Sequence, residues 1–129
     1  MKRRTAREKA LQALFQIDLS EIDKNEAIIH ALDGEKPDVY LSALVNGVLD
    51  HQVSIDEQIS KHLENWTIDR IANVDRNLLR IAVYELVYGS EEVPANVVID
   101  EAVEIAKAYG DDKSSKFVNG LLSKIKNSL

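Results

Sequence analysis

The sequence predicts an all-helical domain, and three observations carry that expectation. Apolar residues recur at three- and four-residue steps along most of the 129 positions. Helix breakers such as Asp33-Gly34, Gly89, Val93-Pro94 and Gly110 divide those stretches into helix-sized pieces. Only the β-branched run Val97-Val98-Ile99 hints at a strand, and the helical spacing around it is stronger.

Thr5 and Glu8 form a T-x-x-E pattern that predicts a helix start, followed by the stripe Ala10, Leu11, Leu14, Phe15 and Ile17. A short second helix is expected from about Asn25 to Leu32, ended by Asp33-Gly34. Pro37 suits the first turn of a third helix, where its missing amide costs nothing, and Leu41, Leu44, Val45 and Val48 supply the apolar face. A second box, Ser54 with Glu57, predicts the start of a fourth helix presenting Ile55, Ile59 and Leu63. From Val74 to Tyr88 apolar residues fall on more than one face, which marks a central helix enclosed on several sides, with Gly89 as a left-handed stop. After Pro94 a sixth helix shows Ile99, Ala102, Val103 and Ala106 and stops at Gly110. Asp111 or Asp112 can cap a seventh, whose stripe is Phe117, Val118, Leu121, Leu122 and Ile125.

The length fits a single domain, residues 1–129, with no linker or repeat. Without cysteine there is no disulfide framework or thiolate metal site, and reducing cytoplasm is the expected compartment. The basic start lacks the unbroken apolar region of a secretion signal, and no run approaches bilayer-spanning length. His30, His51 and His62 fall on three different predicted helices, so no metal site is expected. No nucleophile elbow, phosphate-binding glycine loop or dinucleotide fingerprint is present. Asp100, Glu101 and Glu104 read as solvated or paired with bases such as Lys107. The expectation is therefore a binding protein without catalysis or cofactor.

The net charge of −6 argues against a nucleic-acid partner, but its distribution does not. Residues 1–9 carry five bases, Lys2, Arg3, Arg4, Arg7 and Lys9, against Glu8 alone. Residues 113–129 carry Lys113, Lys116, Lys124 and Lys126 and no acid. Screening over about 8 Å in physiological salt lets a phosphate near either end ignore the acidic remainder. Phe117, between cations, is a candidate platform for an unstacked RNA base, although core packing is the simpler reading of its place in the stripe. Gly120, inside a predicted helix, costs about 1 kcal/mol relative to alanine; close approach of another helix is the first explanation, a partner or RNA backbone the second.

Four segments together resemble the NusB family of bacterial transcription antitermination factors: RRTAREKALQALFQ (Arg3 to Gln16), DRNLLRIAVYEL (Asp75 to Leu86), VPANVVIDEAVEIAKAYG (Val93 to Gly110) and KFVNGLL (Lys116 to Leu122). The resemblance implies a seven-helix fold of two packed helical bundles and no cofactor. It implies binding of single-stranded boxA RNA in nascent ribosomal transcripts together with NusE, a small-subunit ribosomal protein, and indirect association with other Nus factors and RNA polymerase. Residue by residue it implies RNA contacts at Arg3, Arg4, Arg7, Lys113, Lys116 and Phe117. It places Asp75 toward NusE, with Phe15 and Tyr84 as further contacts. A homodimer through amphipathic faces is a further expectation. The same helical domain also resembles the N-terminal part of ribosomal RNA cytosine methyltransferases, a reading that requires a downstream catalytic domain with a cysteine nucleophile.

Overall fold

Amphipathic stripes become seven helices in the computed structural model, which describes residues 1–89 and 93–129. They are α1 (Arg3–Ser20), α2 (Lys24–Leu32), α3 (Val39–Asp50), α4 (Gln52–Lys61), α5 (Asn73–Tyr88), α6 (Ala95–Tyr109) and α7 (Ser114–Ser128), with a single 3₁₀ turn at Ile68–Arg70 before α5. There is no strand among the described residues; Val97, Val98 and Ile99 lie in α6. Helices α1 to α3 pack as one group and α4 to α7 as a second, and α5 lies against α1 and α3 as well as its own group. One continuous apolar core runs through both, from Leu11 and Leu14 through Leu44 and Leu79 to Leu122 and Ile125.

Several local signals act differently from expectation. α1 begins at Arg3, two residues before Thr5, and Lys2 at its N-cap position makes no side-chain cap. Arg4 inside that first turn is bonded to Glu101, so a tertiary contact extends the helix past the local box. α4 starts at Gln52 rather than at Ser54, whose hydroxyl is instead 2.6 Å from the Tyr88 hydroxyl. Pro37 precedes the helix, and Asp38 caps α3 by accepting from the Leu41 amide. Asp23 caps α2 through the amides of Asn25 and Glu26, and Asp33 (φ 49°) and Gly34 (φ 85°) end it in left-handed backbone. Gly89 is not left-handed; its φ is −111°. Asp111 accepts from the Lys113 amide and the Ser114 hydroxyl, fixing the turn into α7.

The central helix carries charge inward as well as apolar groups. Asn77, Arg80 and Glu85 are all buried. Arg80 grips Asp56 of α4 with two bonds of 2.9 and 3.0 Å, and Arg76 reaches Asp18 of α1 at 2.7 Å. Burial alone would raise the Asp18 carboxyl, but Arg76, Asn77 and Arg80 outweigh it and hold it below the usual carboxylate range. α1, α4 and α5 are thus tied by directed bonds that a purely apolar contact would not fix in register.

The two helical glycines differ in kind. A Cβ at Gly47 of α3 would collide with the Tyr84 ring, which stacks in turn with His51 and Tyr88. At Gly120 a Cβ would meet nothing within 4 Å, so no helix approaches there and the first explanation from sequence fails. Gly47→Ala is expected to cost about 1–3 kcal/mol through overpacking. Gly120→Ala should be neutral or stabilising by up to about 1 kcal/mol. Thermal midpoints of the two variants, measured side by side, check both signs.

Candidate nucleic-acid interface

The N-terminal cations are organised by the helices they touch. Arg4 donates from Nε to Glu101 of α6 at 2.6 Å and keeps a half-exposed side chain. The Arg3 guanidinium stacks 4.6 Å above the Tyr40 ring. Lys9 donates to the Ala31 carbonyl at 2.9 Å, a cation at the C-terminal end of α2.

Arg7 departs from the RNA-facing role expected of it. It is only 4 % exposed, and its guanidinium donates to both Glu85 oxygens (2.7 and 3.0 Å) and to the Tyr40 hydroxyl. Burial works against its charge, yet the hydrogen bond and charge of Glu85 prevail, and its pKa is raised. Burial together with Glu85 likewise pushes the Tyr40 hydroxyl well above the ordinary phenol range. Arg7 holds α1 to α5 and α3 and turns no donor to a ligand outside.

The second basic region is open. Lys113, Lys116 and Phe117 are all exposed along the first turn of α7, and Phe117, at 37 %, is not sealed into the core. Beside them stands Trp66, 60 % exposed in the loop after α4. Phe117 and Trp66 share in lining two neighbouring cavities. One, of about 370 Å³, also has Arg70, Asp75, Lys113 and Ser114 in its wall. The other, of about 290 Å³, includes Lys116, Gly120 and Lys124. Sequence reasoning passed over Trp66; a lone tryptophan in the polar stretch Glu64-Asn65-Trp66-Thr67 was the available signal.

The two basic regions are linked through α6. Arg4 sits on its middle through Glu101, and its last residue, Tyr109, shares the lining of a cleft with Glu8 of α1 before the chain turns into α7.

The three residues expected to face a protein partner do not share one surface. Phe15 is half-buried and lines a cleft with Leu11, Gln12, Val74 and Tyr109. Tyr84 is half-buried over Gly47, in the stack with His51 and Tyr88. Asp75 departs most: it is 7 % exposed and belongs to the wall of the cavity beside Phe117 and Lys113. Among the described residues no group of three or more His, Asp or Glu could hold a metal ion, and no helix is long and apolar enough to cross a membrane. Glu104 pairs with Lys107 at 3.6 Å, the ordinary helical ion pair.

An all-helical scaffold with exposed rings set among cations defines a class of protein, a small RNA-binding helical domain. Residues 4–127 match the NusB family, and the chain belongs to it. It is 66 % identical over 129 residues to a transcription antitermination protein NusB of Bacillus velezensis, covering all of this chain and 98 % of that one. It is 64 % identical, with the same coverage, to the transcription antitermination protein NusB of Bacillus subtilis. Its fold is similar, at a TM-score of 0.88 and 33 % identity, to NusB in a crystal structure of the antitermination factors NusB and NusE with double-stranded RNA; the match covers 98 % of this chain and 97 % of that one. The family is one of transcription factors, not enzymes.

Proposed function

We propose that this protein is a cytoplasmic transcription antitermination factor that acts as one domain, binding single-stranded boxA RNA of nascent ribosomal transcripts jointly with NusE. The pair would then join other Nus factors on RNA polymerase. The observation that carries the reading is the face of α7 where exposed Phe117 stands beside Lys113 and Lys116, with Trp66 alongside. Rings supply stacking that tolerates any base, and the ammonium groups neutralise phosphates. Arg3 and Arg4 extend the contact along α1, while Arg7 supports that helix from inside. The cleft around Phe15 is the better-supported place for NusE, since it is largely apolar and adjoins α1, α2, α5 and α6.

The test is the salt dependence of binding to a boxA RNA. Each phosphate contact contributes a slope of about −0.7 in log affinity against log salt for single strands. Lys113→Ala and Lys116→Ala should each flatten the slope by about that amount, and added NusE should tighten binding in every case. Slopes unchanged from the parent protein in both variants would place the RNA elsewhere.

A further inference from the structure

Gly120 lies in the middle of α7, where glycine is a poor helix former, and nothing within the described structure requires it. Its backbone is ordinary right-handed helix, and a Cβ built on it would meet no atom within 4 Å. Gly47, in α3, is kept small by the Tyr84 ring packed against it. Gly120 instead faces outward and is exposed. A glycine in such a place permits close approach of a ligand backbone to the helix.

The surroundings specify the ligand. Gly120 sits in the wall of the cavity of about 290 Å³ between α7 and the end of α4, together with the exposed rings of Trp66 and Phe117. Lys116 and Lys124, four residues before and after it, are exposed and line the same cavity, about 6 Å away on either side along the helix axis. Glycine is thus a notch in a cationic row. Glu64 is the one acid in that wall; it faces Lys124 at 3.8 Å with its own side chain 83 % exposed, a solvated contact that a phosphate can replace. We propose that the sugar–phosphate backbone of the RNA crosses α7 at Gly120, with one phosphate toward Lys116, another toward Lys124, and the bases turned to Phe117 and Trp66. The flanking lysines and the two rings favour a polyanion that carries rings of its own over a protein helix. The inference rests on the RNA-binding reading of this face and adds to it the residue that sets how closely the strand lies.

The variants that test it are Gly120→Ala and Gly120→Leu, with Asn119→Ala as control, since Asn119 lines the groove between α7 and α6 instead. Alanine and leucine are better helix formers than glycine and the site is open, so both thermal midpoints should equal or exceed that of the parent. Binding of a boxA RNA is followed through the fluorescence of Trp66, the only tryptophan of the chain and part of the cavity wall. Affinity should fall about tenfold for Gly120→Ala and further for Gly120→Leu, the effect of a side chain crowding a close contact. Asn119→Ala should stay within about twofold of the parent. A stabilised helix with a weakened ligand marks steric exclusion at the surface, which a glycine serving only the fold does not produce. Affinity unchanged in both Gly120 variants, or an equal loss in Asn119→Ala, overturns the proposal and leaves RNA binding standing. A fall in both midpoints would show that the glycine serves the fold and would overturn it too. Weakened NusE binding with RNA affinity intact would reassign the notch to a protein partner and likewise overturn it. Failure of the parent protein to bind boxA RNA would instead sink the RNA-binding reading, and this inference with it.

Discussion

Arg7→Ala is expected to remove about 3–5 kcal/mol of stability, the cost of leaving one half of a buried ion pair behind. Glu85 is 4 % exposed and would be left with only the Tyr40 hydroxyl as donor. Urea unfolding should show the midpoint falling with little change in slope, the mark of lost stability rather than altered compactness. The salt slope of RNA binding, measured on the folded fraction, should stay that of the parent, since Nε and one outer nitrogen of Arg7 are bonded to Glu85 and the other lies 3.8 Å from Glu101. Replacing the pair together, Arg7→Met with Glu85→Leu, should recover much of the loss because no charge is then stranded. A flattened slope with unchanged stability would return Arg7 to the RNA surface.

Phe117→Ala should weaken binding of boxA RNA by about 5- to 150-fold, because loss of a stacked base costs about 1–3 kcal/mol. The ring is more than one-third exposed, so the accompanying loss of fold stability should be smaller than for a core phenylalanine. Phe117→Trp keeps a stacking surface and should retain most of the affinity. Filter or fluorescence titration at fixed salt, alongside thermal midpoints, separates the two effects. An alanine variant that binds as tightly as the parent would show that the aromatic surface is not the base platform.

The helices were legible in the sequence because their signal is repeated: each apolar stripe is several residues voting for one face. Their starts were not, because a start depends on one or two side chains that distant residues can claim. Thr5 lost its capping role once Arg4 found Glu101, and Ser54 lost its own to Tyr88. Arg7 shows the same limit at the candidate site. It reads as one of five cations in nine residues, and nothing local betrays that its partner lies 78 positions away. Asp75 sits in a segment whose family resemblance suggested a protein-facing role, and only the packing of α7 against α5 reveals the cavity it shares with Phe117. Lys113, Lys116 and Phe117 were readable because one turn of a single helix brings them together. Trp66 reaches the same place from a loop, which no periodicity announces.

The bond between Arg7 and Glu85 also says something about how the protein comes into being. At about 5–20 residues per second, a ribosome needs roughly 4–16 s to travel the 78 positions separating them. Throughout that interval α2 and α3 can already cover part of α1, but the side of α1 that must lie against α5 waits uncovered. The enclosure of α1 is therefore completed only once α5 has been made, and a nascent chain halted before residue 85 should be the form most in need of a chaperone.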